Sequence, residues 1–134
     1  MTRPRIVEEW LAGWNAQDVE RATAHFAADA EFVSPSVVAM GFDPMGVLRG
    51  RPAIAAQAAA AFRRYPALRF EIVSVLEDGP RIVVFYRKHG VFSATPGLTI
   101  EVFEVDQGEI KRSTVYWSVE EVAARFQPRL LAEA

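Results

Sequence analysis

Apolar side chains recur at Val7, Trp10, Leu11 and Trp14, the three- and four-residue spacing of one helix face, with Glu8 and Glu9 opposite, so a helix is predicted over 5–15. Asn15-Ala16-Gln17-Asp18 interrupts it, and Asp18 is placed to cap a second helix over 19–28 whose inner face is Val19, Ala22 and Phe26. Glu31-Phe32-Val33-Ser34 reads as a short strand that Pro35 stops, because proline has no amide hydrogen to give to a ladder. From Pro35 to Gly50 the apolar residues Val37, Val38, Met40, Phe42 and Met45 follow no period, and this stretch reads as a long functional loop over a pocket mouth. Arg51-Pro52 opens a third helix, alanine-rich over 53–64 and closed by Tyr65-Pro66.

Segments 68–77, 81–92, 98–106 and 109–118 are rich in Val, Ile, Phe and Tyr and are separated by Asp78-Gly79-Pro80, Ala94-Thr95-Pro96-Gly97 and Asp106-Gln107-Gly108. They form a four-stranded antiparallel meander in this reading. Ser118-Val119-Glu120-Glu121 fits a capping box, which predicts a closing helix over 119–127. Helices first and a meander afterwards give an α+β domain with helices on one face of the sheet.

Composition narrows the chemistry. The 134 residues are 51% hydrophobic and carry a net charge of −2, which fits one domain of residues 1–134 with roughly two-thirds of its extended-chain surface buried. With no cysteine and two histidines, disulfides, thiol nucleophiles and cysteine-based metal sites are excluded. No Lys/Arg run, phosphate-binding loop or membrane-length apolar stretch occurs, so no nucleic-acid partner, membrane contact, metal or cofactor is expected, and the cytoplasm is the expected compartment.

Several local pieces resemble one family. They are Trp14-Asn15-Ala16-Gln17-Asp18 ending the first helix, Phe26-Ala27-Ala28-Asp29-Ala30 entering the first strand, and Gly50-Arg51-Pro52-Ala53-Ile54 opening the third helix. Pro66-Ala67-Leu68-Arg69-Phe70, Val102-Phe103-Glu104-Val105 before Gly108-Glu109-Ile110, and Tyr116-Trp117 complete the set. In order and spacing the chain resembles the SnoaL-like branch of the nuclear transport factor two-like superfamily, which includes ketosteroid isomerases, limonene epoxide hydrolases and polyketide cyclases. The resemblance implies a cone: a curved antiparallel sheet with the N-terminal helices packed on its concave face and an apolar cavity between. It also implies a cofactor-independent isomerase, cyclase or hydrolase for a small lipophilic molecule, or a binder of such a molecule without chemistry, or, third, a protein-interaction module.

Matched to the isomerase pattern, Trp10 stands where that family has an oxyanion tyrosine, Ser34 where it has a base, and Glu101 where it has a protonated acid. Matched to the epoxide hydrolases, Arg87-Lys88-His89 and Val115 retain the arginine and lose both carboxylates. Strand parity offers a separate argument, since residues two apart share a face. Val83, Phe85, Arg87 and His89 form one parity and Thr99, Glu101 and Phe103 another. With Phe92 opposite Leu98, His89 faces Glu101; a two-residue shift puts Arg87 there instead. The catalytic candidates are then His89 as general acid or base, Glu101 orienting it, and Arg87 holding an oxyanion or carboxylate. The same three residues also fit a salt-bridged strand end. Trp10, Trp14, Phe32, Ser34, Met40, Phe85, Phe103 and Trp117 are the candidate lining for a small lipophilic ligand. Ile82, Val84, Tyr86, Ile100 and Val102 make the other parity apolar too, and a homodimer through the outer sheet face is the expected cover.

Overall fold

The structure, a computed structural model, describes residues 3–91, 97–118 and Val122. Its elements are α1 (Arg5–Asn15), α2 (Val19–Thr23), β1 (Phe26–Val33), α3 (Pro35–Ala39), β2 (Val47–Arg49), α4 (Arg51–Arg64), β3 (Arg69–Asp78), β4 (Arg81–His89), β5 (Leu98–Asp106) and β6 (Glu109–Trp117). The fold is α+β, a curved six-stranded sheet in the order β2-β1-β6-β5-β4-β3 with the helices against its inner face. The meander over β3–β6 forms as the apolar runs and turn residues predict. Among the described residues no helix is long and apolar enough to cross a membrane. The helix expected over 119–127 lies outside the described residues except for Val122, whose amide donates to the Ser118 carbonyl at 3.0 Å.

Three local expectations are corrected. The second helix stops at Thr23, and Phe26–Val33 is strand: Phe26, Ala27 and Ala30 bury themselves in a parallel ladder with β6 that spans most of the sequence. Helix propensity of the alanines yields there to tertiary pairing. The stretch 35–50 is not a continuous loop, because Ser34 caps α3 through an amide hydrogen bond from Ser36, Pro35 fills the first turn, and Val47–Arg49 pairs with β1. The expected short strand thus lengthens into β1, which pairs in parallel with β6, and β2 is added beyond it.

The most consequential correction is the β4–β5 register. Glu101 lies opposite Val84, five positions back along β4 from His89. An odd displacement exchanges faces. Ile82, Val84, Tyr86 and Lys88 thus share the inner face with Thr99, Glu101 and Phe103, while Val83, Phe85, Arg87 and His89 turn outward with Ile100 and Val102. The last described pair is Arg87 with Leu98, so the connection is longer than a tight hairpin and turn geometry does not set the register. Burial of Tyr86 and Phe103 does.

The resemblance motif around Asn15 has a structural basis. The Asn15 amide grips the backbone of Phe70 at both ends, accepting from its N–H at 2.7 Å and donating to its carbonyl at 3.0 Å. Gln17, in the left-handed region at φ 53°, donates to the Pro66 carbonyl at 2.8 Å. These bonds fasten the α1 end to the start of β3. Gly13 lets α2 approach: a Cβ there would sit 2.2 Å from the Ala22 nitrogen. On β3, a bulge between Ile72 and Ser74 pushes Val73 out to 55% exposure.

Candidate functional site

Between the inner sheet face and α3 and α4 lies a cavity with about 50 Å³ of water-accessible space. Its floor is aromatic. Trp14 stacks on Phe70 at 4.8 Å between ring centroids and meets Phe62 edge-on at 5.0 Å. Trp10 packs behind this layer, 5.3 Å from Tyr86 and 5.4 Å from Phe103. Such packing fixes the rings by shape and leaves them little rotational freedom.

One wall carries a buried acid. Glu101, 3% exposed, accepts a hydrogen bond from the Tyr86 hydroxyl on Oε1 at 2.8 Å and from the Ser113 hydroxyl on Oε2 at 2.5 Å. Burial pushes the Glu101 carboxyl above the usual carboxylate range, outweighing those two bonds and the nearby Lys88 ammonium, all of which favour the charged form. Glu101 is also one of the residues that line the cavity. Lys88 lines the same wall, 7% exposed, with its ammonium 4.8 Å from the centroid of the Trp117 ring.

The facing wall is made by α3 and α4. Gln57, 4% exposed, donates through Nε2 to the Ser36 hydroxyl at 3.2 Å and to the Met40 sulfur at 3.5 Å. The hydroxyls of Ser34 and Ser36 are 2.8 Å apart. All four side chains line the cavity.

Of the sequence-derived candidates, Trp14, Phe32, Ser34, Met40 and Glu101 meet at the cavity. Trp10 and Phe103 belong to the packed layer behind it, and Trp117 stands on the inner face across from Thr99. The trio of His89, Arg87 and Glu101 does not assemble. His89 and Arg87 are on the outer face, where the His89 imidazole meets Glu71 at 2.9 Å and that bond, ahead of the charges of His89, Arg69 and Arg87, holds the Glu71 carboxyl below its usual range. Phe85 is turned outward with them. His25 pairs with Glu9 at the surface, and Glu9 is also held by Arg5. Among the described residues no group of three His, Asp or Glu side chains is arranged to hold a metal ion.

The residues that parity reasoning missed are Tyr86, Lys88, Ser36 and Gln57. Tyr86 and Lys88 follow from the register and were not accessible to a count along one strand. Gln57 carries a readable signal: it is the lone polar residue of the run 52–61 and falls on the buried spacing with Ile54, Ala58 and Ala61.

Comparison with known proteins agrees with this fold. The sequence profile of the SnoaL-like domain matches residues 7–113. A SnoaL-like protein of unknown function from Burkholderia thailandensis superimposes with a TM-score of 0.74 at 28% identity, over 83% of this chain and 89% of that one. A hypothetical protein of ketosteroid isomerase-like fold from Catenulispora acidiphila, solved with trimethylamine, gives 0.73 at 22% identity, covering 92% and 93%. A putative polyketide cyclase from Sinorhizobium meliloti gives 0.71 at 22% identity, covering 85% and 95%. No curated protein matches the chain.

Proposed function

This chain belongs to the SnoaL-like domain family, and from that premise we propose that it is a cofactor-independent isomerase or cyclase in which Glu101 donates a proton to the carbonyl oxygen of a small, largely apolar substrate. The observation that carries the reading is the buried carboxyl on the cavity wall, its two oxygens held by Tyr86 and Ser113. Burial shifts the carboxyl toward its protonated form, the form that can donate. As Glu101 gives its proton to the carbonyl oxygen, a water molecule takes the α-proton so that the dienol forms, and Tyr86 and Ser113 stabilise the carboxylate left behind. The water then delivers its proton to the γ-carbon, and the enol O–H returns its proton to Glu101. Trp14, Phe32 and Phe70 supply the apolar surface that positions the substrate.

Binding without turnover is the second reading, favoured by the composition of the wall: among the described lining residues Glu101 is the one carboxyl, and no imidazole accompanies it. Conversion of cyclohex-3-enone to its conjugated isomer, followed by enone absorbance, separates the two. Glu101→Gln is expected to lower turnover by at least about 10²-fold, the usual contribution of a positioned acid. Equal turnover by the variant and the parent refutes the catalytic role, and saturable binding with no turnover by the parent supports the binder.

We propose further that the outer sheet face joins two copies. Leu76 and Tyr116, each 55% exposed, flank a half-buried stripe of Val83, Phe85, Ile100 and Val102. Ion pairs of Glu31 with Arg49 and Arg112 border it.

A further inference from the structure

Resting on the reading of the cavity as a substrate site, we infer that Ser34, Ser36 and Gln57 form a recognition site for a hydroxyl group on the substrate, at the end remote from Glu101. Ser34 Oγ accepts from the Ser36 amide at 3.1 Å and shares a hydrogen bond with Ser36 Oγ at 2.8 Å, while Ser36 Oγ accepts from Gln57. Two hydroxyls own two hydrogens, and one hydrogen is used between them. Whichever serine accepts in that bond retains a hydroxyl hydrogen with no partner among the described residues, on the cavity wall.

The orientation of Gln57 is fixed by its neighbours. A thioether sulfur accepts and cannot donate, so the contact with Met40 Sδ requires the amide nitrogen on that side, and the amide oxygen takes the opposite position. That oxygen has no hydrogen-bond partner among the described residues, although the side chain is 4% exposed. An amide carbonyl oxygen with free lone pairs on a residue that lines the cavity is an acceptor for a hydroxyl hydrogen of a ligand.

The wall therefore presents one donor and one acceptor. A hydroxyl group, which both donates and accepts, satisfies both. A carboxylate meets the lone pairs of the Gln57 oxygen, and an ammonium has nothing to offer the serine hydroxyl. Continuing the β1–β6 ladder one residue past Val33 and Thr114 sets Ser34 beside Val115, which is itself opposite Glu101. Two strand spacings, roughly 10 Å between backbones, separate the acid from the hydroxyl site. A single ring bearing a carbonyl at one end and a hydroxyl at the other matches that separation, and the residues around the cavity of about 50 Å³ must move apart to admit it.

Acetophenone and 4-hydroxyacetophenone differ in that one group. Their dissociation constants are measured by quenching of tryptophan fluorescence for the parent, Ser36→Ala, Gln57→Leu and Glu101→Gln, each first checked for a cooperative melt. The parent is expected to bind the hydroxy compound at least about fivefold more tightly, the value of one or two neutral hydrogen bonds. Gln57→Leu and Ser36→Ala are expected to bring the two ketones within about twofold of each other, while Glu101→Gln weakens both alike. A preference that survives in Gln57→Leu and Ser36→Ala, or is lacking in the parent, overturns the hydroxyl site and leaves the role of Glu101 standing. Affinities that Glu101→Gln does not change, or failure of both ketones to bind the parent, overturn the cavity reading and this inference with it.

Discussion

Replacing Glu101 by glutamine removes a titrating proton from the core while keeping side-chain shape, and its effect on stability has a definite pH signature. The carboxyl is pushed above its ordinary range chiefly by burial, so the folded chain holds this proton to higher pH than the unfolded chain does. Below about pH 4.3 both states are protonated and the group contributes no pH dependence. Above it the unfolded chain releases the proton first, and the parent loses about 1.4 kcal/mol of stability per pH unit through this site. The loss continues until the pH passes the folded-state value, where both states are ionised and the slope vanishes. Glutamine has no proton to lose. It also changes the bonding to Tyr86 and Ser113, since one hydroxyl must turn to accept from the new NH₂, but that offset does not vary with pH. The informative quantity is therefore the difference between the two proteins, in which the titrations of Glu9 and Glu71 cancel. Urea unfolding at half-unit steps from pH 4.5 upward is expected to show the parent losing stability relative to Glu101→Gln as pH rises. Parallel stability curves would falsify the assignment of a neutral buried acid.

Three further outcomes follow from the geometry. Asn15→Ala removes both bonds to the Phe70 backbone and is expected to lower unfolding free energy by about 2 kcal/mol in urea; a change within error means that water replaces the amide at no cost. His89→Ala, on the outer face, is expected to leave the dissociation constant for 4-hydroxyacetophenone within about twofold of the parent, and a larger loss places the imidazole in the site after all. Light scattering of the parent is expected to return twice the chain mass, and Leu76→Glu combined with Tyr116→Glu the mass of one chain; a monomeric parent removes the two-fold interface.

How much of this was readable in the residues depended on the range of the interaction that decided each feature. Helices α1 and α4 and the four meander strands are set by local periodicity and turn residues, and they fall within a few residues of the sequence reading. Strand β1 is decided by Phe26 pairing with Ile110, a partner that no local window contains. The site divides along the same line. That Arg87 and His89 share a face, and that Glu101 shares another with Phe103, is a property of single strands and held in the structure. Which of those faces looks at the helices is a property of the register, and the long β4–β5 connection hides it from sequence. Hence Glu101 faces inward with Tyr86 and Lys88, and the histidine stands beside Glu71. Gln57 was legible as a polar residue at a buried helical position; its partners on α3 were not, because that helix itself was read as loop.

The two outermost strands of the sheet have a consequence for life at high concentration. An open sheet offers unpaired amides and carbonyls at each border, and identical molecules can in principle continue one another's ladders without limit. Here β2 is only three residues long, and β3 is broken by the Val73 bulge and partly occupied by Asn15, whose amide takes the Phe70 backbone groups a neighbouring strand would claim. Both borders of the sheet thus offer little unpaired backbone for another copy to extend, and growth of the ladder edge to edge is disfavoured at each.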